Sequence, residues 1–420
     1  MKKIDVVILG AGIAGLGAAL KAREQNLETV IFETNDRAGG LLDNFEVEGF
    51  RFDNAVHLSF ASEPEVRKIF DQTDYYTHPA DAWNFELDKW LKHPVQNNLY
   101  PLPAEDKVEL IKSFLNRPEL VADDYENWLR HQYGDAISER YPLRYTQKYW
   151  GTPASNLSTT WIGNRMRRAE LDEILFGAFT AETPNTYYTK EMRYPKKGGY
   201  RAFIEPLIAE SKIEYNHQAC HIDPENKIVT FTNGQLVQYT TLVSSIPLPV
   251  LVSITHNAPE KVKKAAETLV ATSIDLISVG FNKPIIKDLW FYIYDEDILA
   301  SRAYSPSVKS IENVPEGCSS LQFEIYSRGT QSRFNKQDLI ENVTYALKKM
   351  NIATKEDIVF MHHKHLKYGN VIFDIDMEQK RDQVRSHYET KNIKTIGRFG
   401  EWDYLWSNQS FLSGYGVLTE

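Results

Sequence analysis

At 420 residues the chain is too long for one small core, and its net charge of −9 without a basic tract argues against nucleic acid as the main partner. Two cysteines, Cys220 and Cys318, cannot build a disulfide framework and suit a reducing compartment, and no apolar run is long enough to span a bilayer. Two domains are expected, with no internal repeats and no low-complexity segments.

The chain opens with an apolar strand over residues 4–9, the turn Gly10-Ala11-Gly12-Ile13-Ala14-Gly15 and an alanine-rich helix. A second strand over 29–32 ends on Glu33. Each part serves a dinucleotide. Gly10 permits the tight turn, Gly12 lets the backbone approach a pyrophosphate, and Gly15 lets the helix pack on the strand. The helix N-terminus offers N–H donors and positive dipole, and Glu33 is placed to accept from the adenosine ribose. The Lys-Lys start before an apolar stretch could pass for a leader peptide. Asp5 within the run and the lack of a small-residue cleavage pattern argue against that, so a cytoplasmic protein is expected.

The next residues, Thr34-Asn35-Asp36-Arg37-Ala38-Gly39-Gly40-Leu41-Leu42, resemble the extension found in glutathione-reductase-type FAD proteins of the amine oxidase branch. The resemblance implies FAD as cofactor, with Arg37 near the adenosine end and Gly39-Gly40 along the ribityl chain. Leu41 stands where the family often has arginine. Downstream, residues 217–222 read as a strand, and 227–239 as a hairpin turning at Asn233-Gly234. Leu242-Val243-Ser244-Ser245-Ile246-Pro247 follows, and in such flavoproteins the corresponding segment hydrogen-bonds adenine through its backbone and ends at a turn beside the cofactor; Ile222 is also expected to bind the cofactor. Residues 393–398, ending in Gly397-Arg398, resemble the strand and turn that close the FAD domain.

The expected fold class is α/β: a discontinuous glutathione-reductase-type FAD-binding Rossmann domain with an inserted mixed α+β substrate domain. The FAD domain is assigned to residues 1–90, 186–264 and 371–420. A mostly helical insertion occupies 91–185 and a β-rich one 265–370. Helices are expected over 63–72, 104–115, 125–131 and 336–350, and strands over 274–281 and 320–326.

Within the helical insertion, Arg144-Tyr145-Thr146-Gln147-Lys148-Tyr149-Trp150-Gly151-Thr152-Pro153, followed by Leu157, Trp161, Arg165 and Arg167, resembles UDP-galactopyranose mutase. The resemblance implies that Tyr145 and Trp150 belong to a nucleotide site. It also implies a diphosphate clamp at Arg165, a one-residue shift that leaves Arg167 as the alternative. Aromatic faces can stack on a base, and a guanidinium pairs two-pronged with phosphate. Gly397-Arg398-Phe399-Gly400-Glu401-Trp402-Asp403-Tyr404 follows the same family pattern. It places Arg398 on the flavin side and Tyr404 on the substrate diphosphate. Arg302 falls where a second phosphate-binding arginine is expected. His57 keeps the first of two family histidines near the flavin, but the second position holds Phe60, which cannot hydrogen-bond.

The run His362-His363-Lys364-His365 alternates across a strand and has no obvious paired ligand, so no metal is expected. Two functions from different classes remain. The mutase resemblance implies interconversion of pyranose and furanose forms of a nucleotide sugar for cell-surface polysaccharide, with reduced flavin N5 as nucleophile and no side-chain acid–base pair. The alternative is an amine oxidase- or protoporphyrinogen oxidase-like enzyme in which substrate hydride passes to FAD. The expected partner is a small molecule, a nucleoside diphosphate sugar under the first reading, and a homodimer is left open.

Overall fold

A computed structural model describes residues 2–119, 121–163, 166, 170–184 and 191–418. Two seven-stranded sheets organise it. In the first, Lys2–Leu9 lies between Leu236–Ser244 and Thr29–Phe32 and is parallel to both. Ile213–Glu214 extends one side, the antiparallel strands Ile228–Phe231 and Ala219–Asp223 extend the other, and Ile393–Thr395 pairs in parallel with Leu236–Ser244. Strands from three distant stretches of chain thus form one Rossmann-like sheet. The helix Ile13–Glu24 packs on it, its alanines and glycines buried, because small side chains let helix and sheet approach closely.

The expected hairpin is present, with Gly234 at φ +84° in its turn, but its second strand runs unbroken to Ser244. Alternating burial through Val237 and Tyr239 keeps the strand in register with Lys2–Leu9 beyond the point where the hairpin partner stops.

The second sheet runs in the order Ile358–Leu366, Thr272–Phe281, Ser319–Arg328, Arg302–Tyr304, Trp290–Ile293, Ala82–Glu86 and Lys89–Lys92. Thr272–Phe281 is buried along its whole length because it is paired on both sides and covered on both faces. The hairpin of residues 82–92 joins this sheet through parallel pairing with Trp290–Ile293. The chain therefore enters the second sheet before residue 90, where the sequence reading set its boundary. Helices Ala104–Leu115, Tyr125–Tyr133, Asp135–Arg140 and Pro142–Trp150 close over one side of the sheet around a shared apolar core. Among the described residues, no helix is long and apolar enough to cross a membrane.

Candidate active site

A cavity of about 900 Å³ runs from the first glycine turn to the second sheet. Gly10, Gly12, Glu33, Arg37, Gly39 and Gly40 line one end. The three turn glycines differ in why they are glycine. Gly10 sits at φ +96°, and a side chain there would collide with Ser245. A Cβ on Gly15 would overlap the Gly10 carbonyl. At Gly12, the N-cap of the helix, a Cβ would meet nothing within 4 Å. That open space lies over the unpaired N–H groups of a helix N-terminus, the environment an anion prefers. The residues present therefore fit a dinucleotide.

Glu33 is buried, its carboxylate accepting from the backbone N–H of Ala11 at 2.8 Å and of Asn35 at 2.9 Å. It thus holds the turn as well as facing the cavity. Arg37 pairs with Asp43 at 2.9 Å, and Arg201 holds the same carboxylate at 2.8 Å from the segment after Gly199. Gly397, at φ +71°, brings the third segment so close that a Cβ would run into Ala14.

Ile222 does not join this end. Its N–H donates to Ile254 O and its carbonyl accepts from His256 N–H, both at 2.8 Å, and its side chain lies in the core. Both backbone groups are committed to the neighbouring loop and Ile222 does not line the cavity, so the expectation that it binds the cofactor is corrected.

At the other end of the cavity stand His57, Arg302, Arg398 and Tyr404. The four come from different segments, and the fold brings them together. Arg398 donates from Nε and Nη2 to Leu405 O at 2.9 and 2.7 Å, and from Nη1 to Gly369 O at 3.3 Å and Asn370 Oδ1 at 3.1 Å. These acceptors are neutral, so the guanidinium braces two loops while keeping its charge beside the cavity. Arg302 instead pairs through Nε with the fully buried Glu324 and donates from Nη2 to Tyr326 Oη at 3.0 Å. Burial is the largest single influence and disfavours its charge, but Glu324 together with Tyr326, Tyr149 and Tyr145 outweighs it and the pKa rises.

His57 borders the cavity although protein surrounds it. Its Nδ1 lies 3.1 Å from the Ala55 carbonyl, which can only accept, so Nδ1 carries the proton and Nε2 the lone pair. Burial first, then Lys309, Arg398 and Arg302, push its pKa down to about 3. His57 is therefore a neutral hydrogen-bonding group and no general acid. Because an unfolded histidine takes up its proton near 6.5, this group withdraws stability as pH falls from 6.5 toward 3. His93, pushed down to about 4 by burial, adds to the same slope. His57→Gln is expected to make the loss of thermal stability between about pH 7 and about pH 5 smaller. An unchanged slope in paired melting curves would remove His57 from this account.

Trp150 is not at the cavity. It is 4% exposed and packs in the helical core against Tyr149 and Trp161, at 5.1 and 5.3 Å between ring centres. Tyr145 also packs against that core, its ring stacked on Tyr149 at 5.4 Å. The ring that faces the cavity from this motif is Tyr149, with the Arg302 guanidinium 5.3 Å from its centre and Asn370 Nδ2 donating to its hydroxyl at 3.0 Å. Helical geometry separates the neighbours: one residue is about 100° of turn, so Tyr149 and Trp150 point in different directions. Burial raises the pKa of Tyr149, Tyr145 and Tyr326, so all three keep their protons. Tyr404 lines the cavity and lies 6.0 Å from Trp150, ring to ring. Arg165 and Arg167 lie outside the described residues.

Phe60 lines the cavity edge-on to Trp406 at 4.5 Å, giving this wall an aromatic contact. His363 and His365 share a strand face and both bond the buried Asp275, at 2.8 and 3.0 Å, while His362 packs on Phe45. Tyr149, Asn370, Glu324 and Tyr326 were absent from the candidates. For Tyr149 the signal was available, since it is four residues from Tyr145 on the same helix face.

Residues 8–73 match the NAD(P)-binding Rossmann-like domain family. The chain is 27% identical over 169 residues to all-trans-retinol 13,14-reductase of Danio rerio, covering 39% of this chain and 27% of that protein. It is 27% identical over 108 residues to protoporphyrinogen oxidase 2 of Arabidopsis thaliana, covering 26% and 20%. These matches thus span between 20% and 27% of the length of the curated relatives. Among solved structures, reduced UDP-galactopyranose mutase superposes with a TM-score of 0.91 at 25% identity, covering 99% of this chain and 94% of that one. A protoporphyrinogen oxidase-like protein from Exiguobacterium sp. 255-15 superposes with a TM-score of 0.75 at 17% identity, covering 100% and 98%. The chain thus carries a Rossmann-like dinucleotide-binding domain and has the fold shared by UDP-galactopyranose mutase and the amine oxidase-type flavoproteins.

Proposed function

We propose that this protein is an FAD-dependent enzyme that interconverts the pyranose and furanose forms of a nucleoside diphosphate sugar. The observation that carries the reading is the wall of Arg302, Tyr149, Tyr326 and Tyr404, which shares one cavity with the glycine cradle. The charge of Arg302 and the hydroxyls of Tyr149 and Tyr404 there suit a diphosphate that must be held, released and recaptured, while Tyr326 gives its hydroxyl proton to Glu324. Near-complete superposition on reduced UDP-galactopyranose mutase supports it.

Reduced FAD, when bound, would supply a nucleophilic nitrogen to the anomeric carbon. The residues of the chain then bind and orient. Gly12 and the first helical turn hold the cofactor pyrophosphate, and Glu33 meets its ribose. Arg302 holds the diphosphate, with Tyr404 and Tyr149 as hydroxyl donors. His57 keeps its proton on Nδ1 and presents only a lone pair, so it orients rather than protonates.

A second reading, hydride transfer from substrate to flavin, draws support from Phe60 and Trp406 in the cavity wall and from the oxidoreductase relatives. One experiment separates the two. Purified protein is expected to be yellow, and dithionite-reduced but not oxidised protein to convert a UDP-sugar into its ring isomer, resolved by chromatography. Oxygen consumption with an amine, and no UDP binding, would reverse the ranking.

A further inference from the structure

Glu324 is an unusual residue to find beside a site for an anion. It is 0% exposed, and both carboxylate oxygens are used. Oε1 accepts from the Val56 backbone N–H at 2.7 Å, in the loop that carries His57. Oε2 accepts from Tyr326 Oη at 2.7 Å and from Arg302 Nε. Arg302 gives a further N–H, from Nη2, to Tyr326 Oη at 3.0 Å, so the Nε–Nη2 edge of the guanidinium is taken while the side chain still reaches the cavity. Arg398, by contrast, donates only to neutral oxygens.

An uncompensated guanidinium in an enclosed pocket would hold any small oxyanion. A fixed carboxylate on Arg302 changes that competition. An incoming anion gains little from Arg302 alone, because the charge is already met and the repulsion of Glu324 must be overcome. A ligand prevails only if it makes further contacts that a single small anion cannot reach at once. Selectivity then arises from penalising the wrong ligand as much as from attracting the right one.

We infer that Glu324 is a specificity-determining residue: as the internal counter-ion of Arg302, it reserves that guanidinium for a ligand with two phosphates and rejects single inorganic oxyanions. This rests on the nucleoside diphosphate reading above. The same carboxylate holds Val56, so the counter-ion is fixed in place rather than free to swing aside.

The test is calorimetric titration of the FAD-loaded protein with inorganic phosphate and with UDP. Glu324→Gln keeps a carbonyl oxygen for Val56 but removes the charge. It is expected to tighten phosphate binding about ten-fold and UDP binding by less, so the preference for UDP falls. The gain is expected to shrink with added salt. Glu312→Gln, a carboxylate with its side chain 49% exposed on the surface, controls for net charge and should leave both affinities unchanged. Glu324→Asp keeps the charge but draws it back by one methylene, and is expected to tighten phosphate to a smaller degree. It carries the test if the glutamine variant does not fold. Phosphate binding no tighter in either Glu324 variant than in the wild type overturns the inference. If no form binds UDP but Glu324→Gln gains phosphate, the nucleotide reading fails and the counter-ion role stands.

Discussion

Gly12→Val is expected to give a stably folded protein that no longer retains FAD. At φ −74° and ψ 173° the backbone of Gly12 is open to any residue, and a Cβ there meets no protein atom within 4 Å. The new side chain would fill the space over the helix N-terminus where a pyrophosphate belongs. Overpacking of this kind costs about 1–3 kcal/mol, roughly five- to 150-fold in affinity. Gly15→Ala makes the contrast, because its Cβ would strike the Gly10 carbonyl and push the helix off the strand. It should lower the melting temperature of the apoprotein, whereas Gly12→Val should not. Flavin absorbance after gel filtration, with melting curves of both apoproteins, checks the pair. A Gly12→Val protein that stays as yellow as the wild type would place the cofactor elsewhere.

Lys309→Met is expected to destabilise the fold by about 3–5 kcal/mol, the usual effect of leaving one buried charge without its partner. Lys309 and Asp53 are 0% and 1% exposed at the side chain and lie 3.4 Å apart. The ammonium also sits over the rings of Tyr304 and Tyr194, at 4.0 and 4.9 Å. Burial pulls the Lys309 pKa down to about 8, while Asp53 works to raise it. With the lysine gone, Asp53 keeps Tyr194 Oη at 2.8 Å and the Tyr200 N–H at 3.0 Å but loses its only counter-charge among the ion pairs described. Converting the pair to neutral partners, Asp53→Asn with Lys309→Met, should recover most of the loss. Urea denaturation midpoints of the single and double variants decide the matter. A single variant no less stable than the double would show that the two charges are not coupled.

Much of the cofactor end was legible because its requirements are local. A strand, a glycine turn, a helix start and an acid at the end of the next strand follow one another within a few dozen residues. Their physical reasons can be read in order. Gly39-Gly40 and Gly397 are marked instead by the resemblance to FAD proteins, and the positive φ they adopt leaves glycine little competition.

The substrate end was harder. The sequence motif named Tyr145 and Trp150, but motif position does not say which face of a helix meets the cavity. Tyr149 faces it because the helical core claims Trp150. Ile222 shows the same limit, for nothing local announces that its N–H and carbonyl will be taken by residues 254 and 256.

By itself, then, the sequence determined the Rossmann-like turn, the glycines that shape it and the three-part layout of the dinucleotide-binding sheet. The tertiary structure alone decided that Glu324 meets Arg302 from the neighbouring strand and Val56 from 268 residues away, and that residues 82–86 pair with 290–293. Backbone conformation is dictated by neighbours in sequence, whereas charge compensation and side-chain exposure are settled by whichever distant groups the folded chain brings within a few ångströms.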